Sequence, residues 1–93
     1  GKYALEKLKK LETFSNIREI RGTGLLIGID TINSTFAKET ITMEMRKNGM
    51  NVLPEGRVVM FNPAYIVSEE QIDNFVDILE KILKQSEWKN LEK

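Results

Sequence analysis

The sequence predicts an α+β fold, a small, mainly antiparallel β-sheet with helices packed on one face. Apolar residues recur at helical spacing in three separate stretches, near the start, middle and end of the chain. Between them lie short, apolar, β-branched runs at 25–30, 51–54 and 57–62, each too brief for an independent helix. The order helix, strands, helix, strands, helix lets one layer of helices cover one side of a sheet.

Residues 2–12 form the first helix. Ala4, Leu5, Leu8 and Leu11 make its buried stripe, with Glu6, Lys7, Lys9 and Lys10 on the other side. Phe14, Ser15 and Asn16 connect it to a brief strand around Ile17, Arg18, Glu19 and Ile20. After Arg21-Gly22-Thr23-Gly24 comes the strand 25–30. Leu25, Ile27 and Ile29 share one of its faces; Leu26, Gly28 and Asp30 share the other. A glycine at mid-strand marks a place where another backbone or a large group approaches closely. The Gly22-x-Gly24 pair leads into a strand, so it lacks the helix N-terminus on which a phosphate loop depends.

Asn33 and Ser34 offer an N-cap to a second helix running to about residue 48. Ala37, Ile41 and Met45 line its buried side. Gly49 suits the left-handed stop, and Arg46 and Lys47 suit the negative end of the dipole. Met43, Met45 and Met50 read as core or interface filler. Residues 51–54 form a strand ending at Pro54, Glu55-Gly56 a turn, and 57–62 another strand. Val59 and Phe61 face one way there; Val58, Met60 and Asn62 face the other, and alternation sets Arg57 opposite Met60.

Pro63 interrupts, and residues 64–67 lead into the last helix. Ser68 with Gln71 makes a capping box, and Val67 with Ile72 the hydrophobic staple outside it. Ile72, Phe75, Val76, Leu79, Ile82 and Leu83 then mark one face. Beyond Gln85, the segment with Trp88 and Leu91 either extends the helix or frays. With every helix on one side, the other sheet face is bare. Met60 and part of the strand 25–30 make it more apolar than a solvated face should be, which points to a missing partner surface.

The 93 residues suffice for a single domain, 1–93, with one modest core. Fourteen basic residues balance fourteen acidic ones, so no basic excess supports binding to nucleic acid. No apolar run approaches the ~20 residues of a membrane helix. Cysteine is absent, which fits a reducing compartment, and a cytoplasmic location is expected. Histidine is absent too, so a metal site of the zinc type is not expected. Proton transfer would fall to carboxylates, lysines or tyrosines, none of which titrates near neutral pH without help. Gly1 in place of methionine fits an excised or processed piece of a longer protein.

Three segments, in order and at matching distances, resemble the C-terminal small domain of class III, fold type I aminotransferases. They are Ile17-Arg18-Glu19-Ile20-Arg21-Gly22-Thr23-Gly24-Leu25-Leu26-Ile27-Gly28-Ile29-Asp30, Lys47-Asn48-Gly49-Met50-Asn51-Val52-Leu53-Pro54, and Val58-Val59-Met60-Phe61-Asn62-Pro63-Ala64-Tyr65-Ile66-Val67-Ser68. The resemblance covers Leu5 to Leu83.

It implies a parent enzyme that transfers an amino group between an amine or amino acid and a keto or aldehyde acceptor, using pyridoxal 5'-phosphate. The family's catalytic lysine and cofactor ligands lie in the larger domain. The resemblance therefore implies no catalytic and no cofactor-binding residue here, an inactive fragment without bound cofactor, and the large domain of the same polypeptide as partner. It also implies a homodimeric parent, while the bare face predicts self-association of the isolated chain. The small domain closes over and shapes the substrate pocket, for which Met60 and Asn62 are the candidate residues. Many members carry at the position of Met60 an arginine whose planar fork grips a substrate carboxylate. The departure argues for an apolar or differently anchored substrate. The competing reading is a stand-alone, non-catalytic α+β module that binds a ligand or a protein.

Overall fold

The computed structural model describes residues 2–23, 26–63 and 68–91. Helix α1 (Lys2–Lys9) tightens into a 3-10 turn over Lys10–Thr13. Strands β1 (Ile17–Thr23) and β2 (Leu26–Thr31) pair antiparallel. β1 is longer than the brief strand expected, because Arg21 and Gly22 continue its ladder to Gly28 and Ile27.

The second helix begins where Asn33 Oδ1 accepts the Phe36 N–H at 2.8 Å, the N-cap expected. Its first part, Phe36–Thr42, is a π-helix; α2 (Met43–Lys47) follows. Thr42 Oγ1 donates to the Ala37 carbonyl at 2.7 Å, five residues back, a span that suits the wider turn. Ala37, Ile41 and Met45 are all buried, and their four-residue spacing exceeds the 3.6 of an α-helix. Of the other methionines, Met50 packs against the core and Met43 is exposed. Gly49, at φ 80°, ends the helix. Its N–H bonds the Arg46 carbonyl at 3.0 Å and the Met50 N–H bonds Met45 at 2.9 Å, the Schellman pairing.

β3 (Leu53–Glu55) and β4 (Val58–Phe61) form a tight hairpin in which Gly56 takes φ 61°. Pro54 does not end β3 as expected but lies inside it. The position is tolerated because β3 is an edge strand of the sheet, whose order is β1-β2-β4-β3, antiparallel throughout. Residues 64–67, including the staple residue Val67, lie outside the described residues. Ser68 Oγ accepts the Gln71 N–H at 3.2 Å and so caps α3 (Glu69–Leu91). The helical backbone runs past Gln85 to Leu91.

One core joins Ala4, Leu8 and Leu11 of the first helical segment, Ile20, Ile27, Ile29, Val59 and Phe61 of the sheet, and Phe75, Leu79 and Leu83 of α3. Leu5 lies against Gly22, where a Cβ would stand 3.3 Å from its Cδ2. The rings of Phe61 and Phe75 meet at 4.4 Å between centroids. Asn16 is a core member that no periodicity marks. It is 1% exposed, and its Nδ2 donates to the Leu83 carbonyl at 3.3 Å, fastening the start of β1 to α3. The helices occupy one face of the sheet. Among the described residues, no helix is long and apolar enough to cross a membrane.

Candidate functional site

β4 turns Val59 and Phe61 into the core, so alternation sends Met60 to the face without helices. There Met60 stands between Gly28 of β2 and Leu53 of β3. Gly28 keeps this part of the face low, since a Cβ on it would come 3.3 Å from Val58 Cγ1. Leu53 is 64% exposed and Leu26 37%, while Met60 and Asn62 are half-buried. Met60 and Asn62, the two residues singled out from sequence, line one concavity of about 400 Å³ with Leu26, Asn51, Leu53, Glu55 and Phe61. The walls are mostly apolar, and the polar groups are two amides and one carboxylate. Among the described residues, no guanidinium or ammonium lines it. Leu53 and Asn51 carried no sequence signal beyond belonging to a short strand.

The far end of the same face is charged. Arg57 Nε donates to Asp30 Oδ1 at 2.7 Å, and Arg21 Nη1 lies 3.5 Å from Asp30 Oδ2 and 3.0 Å from Glu19 Oε1. Asp30 shares the face of Gly28 and Met60, so the guanidinium of Arg57 comes to that face as well. This corrects the expectation from alternation. Arg57 belongs to the turn, where the two-residue period of a strand does not apply. Burial pushes the Asp30 carboxyl up, but the hydrogen bonds and charges of Arg57 and then Arg21 outweigh it and hold the group below the usual carboxylate range.

Elsewhere, the Tyr3 hydroxyl donates to Asp73 Oδ1 at 2.8 Å, and Lys7 Nζ lies 3.6 Å from the same oxygen. The hydrogen bond to Asp73 raises the Tyr3 pKa, and the charge of Asp73 raises that of Lys7. Both shifts lead away from neutral pH, so neither group is tuned as a base or nucleophile. Among the described residues, no three carboxylates gather where they would hold a metal ion. The described residues of this face form a wall with shape and polarity, apolar around Met60 and charged around Asp30.

Comparison with known proteins assigns the chain to a family. Residues 1–83 match the family described as aminotransferase class-III. A LysW-aminoadipate semialdehyde transaminase of Deinococcus radiodurans is 34% identical over 83 residues, which make up 89% of this chain and 19% of that protein. A transaminase solved with L-alanine superposes with a TM-score of 0.82 at 21% identity, a likeness of fold, over all of this chain and 24% of its own. An amine transaminase from an uncultivated Pseudomonas species, solved in its pyridoxal-phosphate-bound form, has a TM-score of 0.73 at 26% identity over 91% of this chain and 22% of its own. The chain thus spans about a fifth of the length of the curated relatives it matches. Over nearly all of its own length, the chain belongs to the class III aminotransferase family.

Proposed function

We propose that residues 1–93 are the C-terminal small domain of a pyridoxal-phosphate-dependent aminotransferase, which moves an amino group between an amine or amino acid and a keto or aldehyde acceptor. The observation that carries this reading is the family match over residues 1–83 of a chain a fifth as long as its relatives. Pyridoxal phosphate, when bound in the parent, supplies the electron sink for the transfer. The concavity around Met60 does not fit that cofactor, because its described lining has neither a lysine for the carbonyl nor a cation for the phosphate. The cofactor belongs in this reading to the larger domain, and the bare sheet face is where that domain lies.

Met60 and Asn62 then form part of the substrate pocket wall. A methionine offers dispersion contact and no charge. It favours an apolar substrate portion, or one anchored elsewhere, over a carboxylate gripped at this point. The parent is a cytoplasmic homodimer on this reading, and the isolated chain associates with itself through the uncovered face.

The test is the intact mass and visible spectrum of the native gene product, before and after borohydride reduction. A much larger chain with a chromophore fixed by reduction to a lysine outside these residues is the expected result. A native chain of this size without a chromophore overturns the reading and leaves a stand-alone binding module.

A further inference from the structure

The two edges of the sheet are closed by different means. β3 is three residues long and contains Pro54, which has no N–H to offer another strand. β1 is seven residues long and, among the described residues, pairs with β2 alone. The Thr31 N–H bonds the Arg57 carbonyl at 2.9 Å, so on β2 the residues Thr31, Ile29 and Ile27 direct their backbone groups toward β4. Asp30 and Gly28 therefore serve β1 through Glu19 and Arg21, and the backbone groups of Ile20 and Gly22 point outward. The outward Ile20 N–H is taken by a side chain. Glu12 Oε2 accepts it at 2.7 Å, and Lys9 Nζ lies 3.6 Å from that same oxygen. A carboxylate in the 3-10 turn stands where a further strand would put a carbonyl.

We infer that Glu12 guards an otherwise open sheet edge, and that β1 is where a second copy of this chain pairs once that carboxylate is withdrawn. The occupant follows from charge and register. Antiparallel pairing of two β1 strands about Ile20 exchanges both outward Ile20 bonds between the copies. It also sets Glu19 of each copy opposite Arg21 of the other, two opposite-charge pairs on one face. Identical strands related by a two-fold axis satisfy each other equally, so the pairing closes as a dimer. Charged side chains that block an edge are a common defence against such addition. In this chain the defence is a hydrogen bond to a particular amide.

The experiment compares Glu12→Ala with Glu12→Gln, both in a Leu53→Glu background that removes association through the bare face. Glutamine keeps an acceptor within reach of Ile20 and loses the attraction to Lys9; alanine loses both. Light scattering is expected to show a dimer for Glu12→Ala at concentrations where Glu12→Gln is a monomer. In dilute solution the Ile20 amide of Glu12→Ala exchanges about tenfold faster than that of Glu12→Gln. Adding Glu19→Lys, which sets like charges opposite one another, returns the alanine variant to monomer. If Glu12→Ala does not fold, Glu12→Asp, which keeps the charge and shortens the reach, replaces it in the comparison. A folded Glu12→Ala or Glu12→Asp that stays monomeric at every concentration overturns the inference. So does a glutamine variant that dimerises as readily, because the ion pair with Lys9 would then be what matters.

Discussion

Arg57 Nε donates to Asp30 Oδ1 across 2.7 Å, and the bond ties the β3–β4 turn to the central strand β2. Asp30 is 6% exposed, whereas the side chains of both arginines that reach it are nearly half exposed. Its carboxyl is held below its ordinary value in the folded chain, so folding favours the ionised form. That contribution is fully present above the unfolded pKa and is lost as pH falls through the folded one. Urea titrations at a series of pH values should show stability declining through and below the usual carboxylate range. Asp30→Asn should flatten part of that decline and destabilise the chain at neutral pH by about 1–2 kcal/mol. An unchanged acid limb in Asp30→Asn would assign the decline to other carboxylates.

Phe75 carries the core across to β4 through its ring contact with Phe61. Phe75→Ala should cost about 3–5 kcal/mol, combining lost burial with a cavity that the sheet cannot close. Phe75→Leu should cost much less, because most of the volume is kept. Denaturant midpoints with an unchanged slope would check both. A loss below 1 kcal/mol for alanine would show that the site collapses around the gap.

Ser68→Ala should remove about 1 kcal/mol, since the hydroxyl holds the Gln71 N–H at the start of α3. Ser68→Asp should be nearly neutral, because aspartate caps as well and its charge suits the helix N-terminus. Equal losses in the two variants would mean that the cap contributes little here.

The features legible in the sequence were those with a local cause. The period of Ile72, Phe75, Leu79 and Leu83, the Ser68 cap and the Gly49 stop each follow from geometry within one turn, and each lies where expected. The π-helix over Phe36–Thr42 was not legible, because the buried residues Ala37, Ile41 and Met45 read as an ordinary α-helical stripe as well. Bonds between distant residues left no trace either. Asn16 to Leu83 and Glu12 to Ile20 use residue types that ordinarily serve turns and solvent. At the candidate site, Met60 was marked by the resemblance, as the residue at the place of the family's arginine, and Asn62 by alternation as its neighbour on the same face; both line one concavity. Leu53 joins them only through the pairing of β3 with β4, and Arg57 escapes the alternation because it sits in a turn.

The uncovered face predicts how the isolated chain behaves. Leu26, Leu53 and Met60 lie on adjacent strands, on the face opposite the described helices. Light scattering should show concentration-dependent association, and an apolar dye should bind. Leu53→Glu should suppress both without lowering the midpoint of unfolding, because Leu53 is 64% exposed and contributes little to the core. A strictly monomeric wild-type chain that binds no dye would count against the missing-surface reading.

Met60 is where the proposed function makes its sharpest demand. Met60 lines the concavity between Gly28 and Leu53, and among the described residues no cation lines it. In the full-length parent, Met60→Arg should bring a planar fork to that wall. A fork of this kind binds a carboxylate through two parallel hydrogen bonds, and a solvated ammonium does not reproduce it. The variant should therefore raise kcat/KM for a donor with a carboxylate at the matching distance by about tenfold relative to an amine without one. Most of the change should appear in KM, since the fork holds the bound substrate as firmly as the transition state. Met60→Leu, which keeps the apolar wall, should leave the ratio of the two donors near its starting value. If arginine changes both donors equally, Met60 lies outside the substrate pocket, and the concavity is part of the seam between domains.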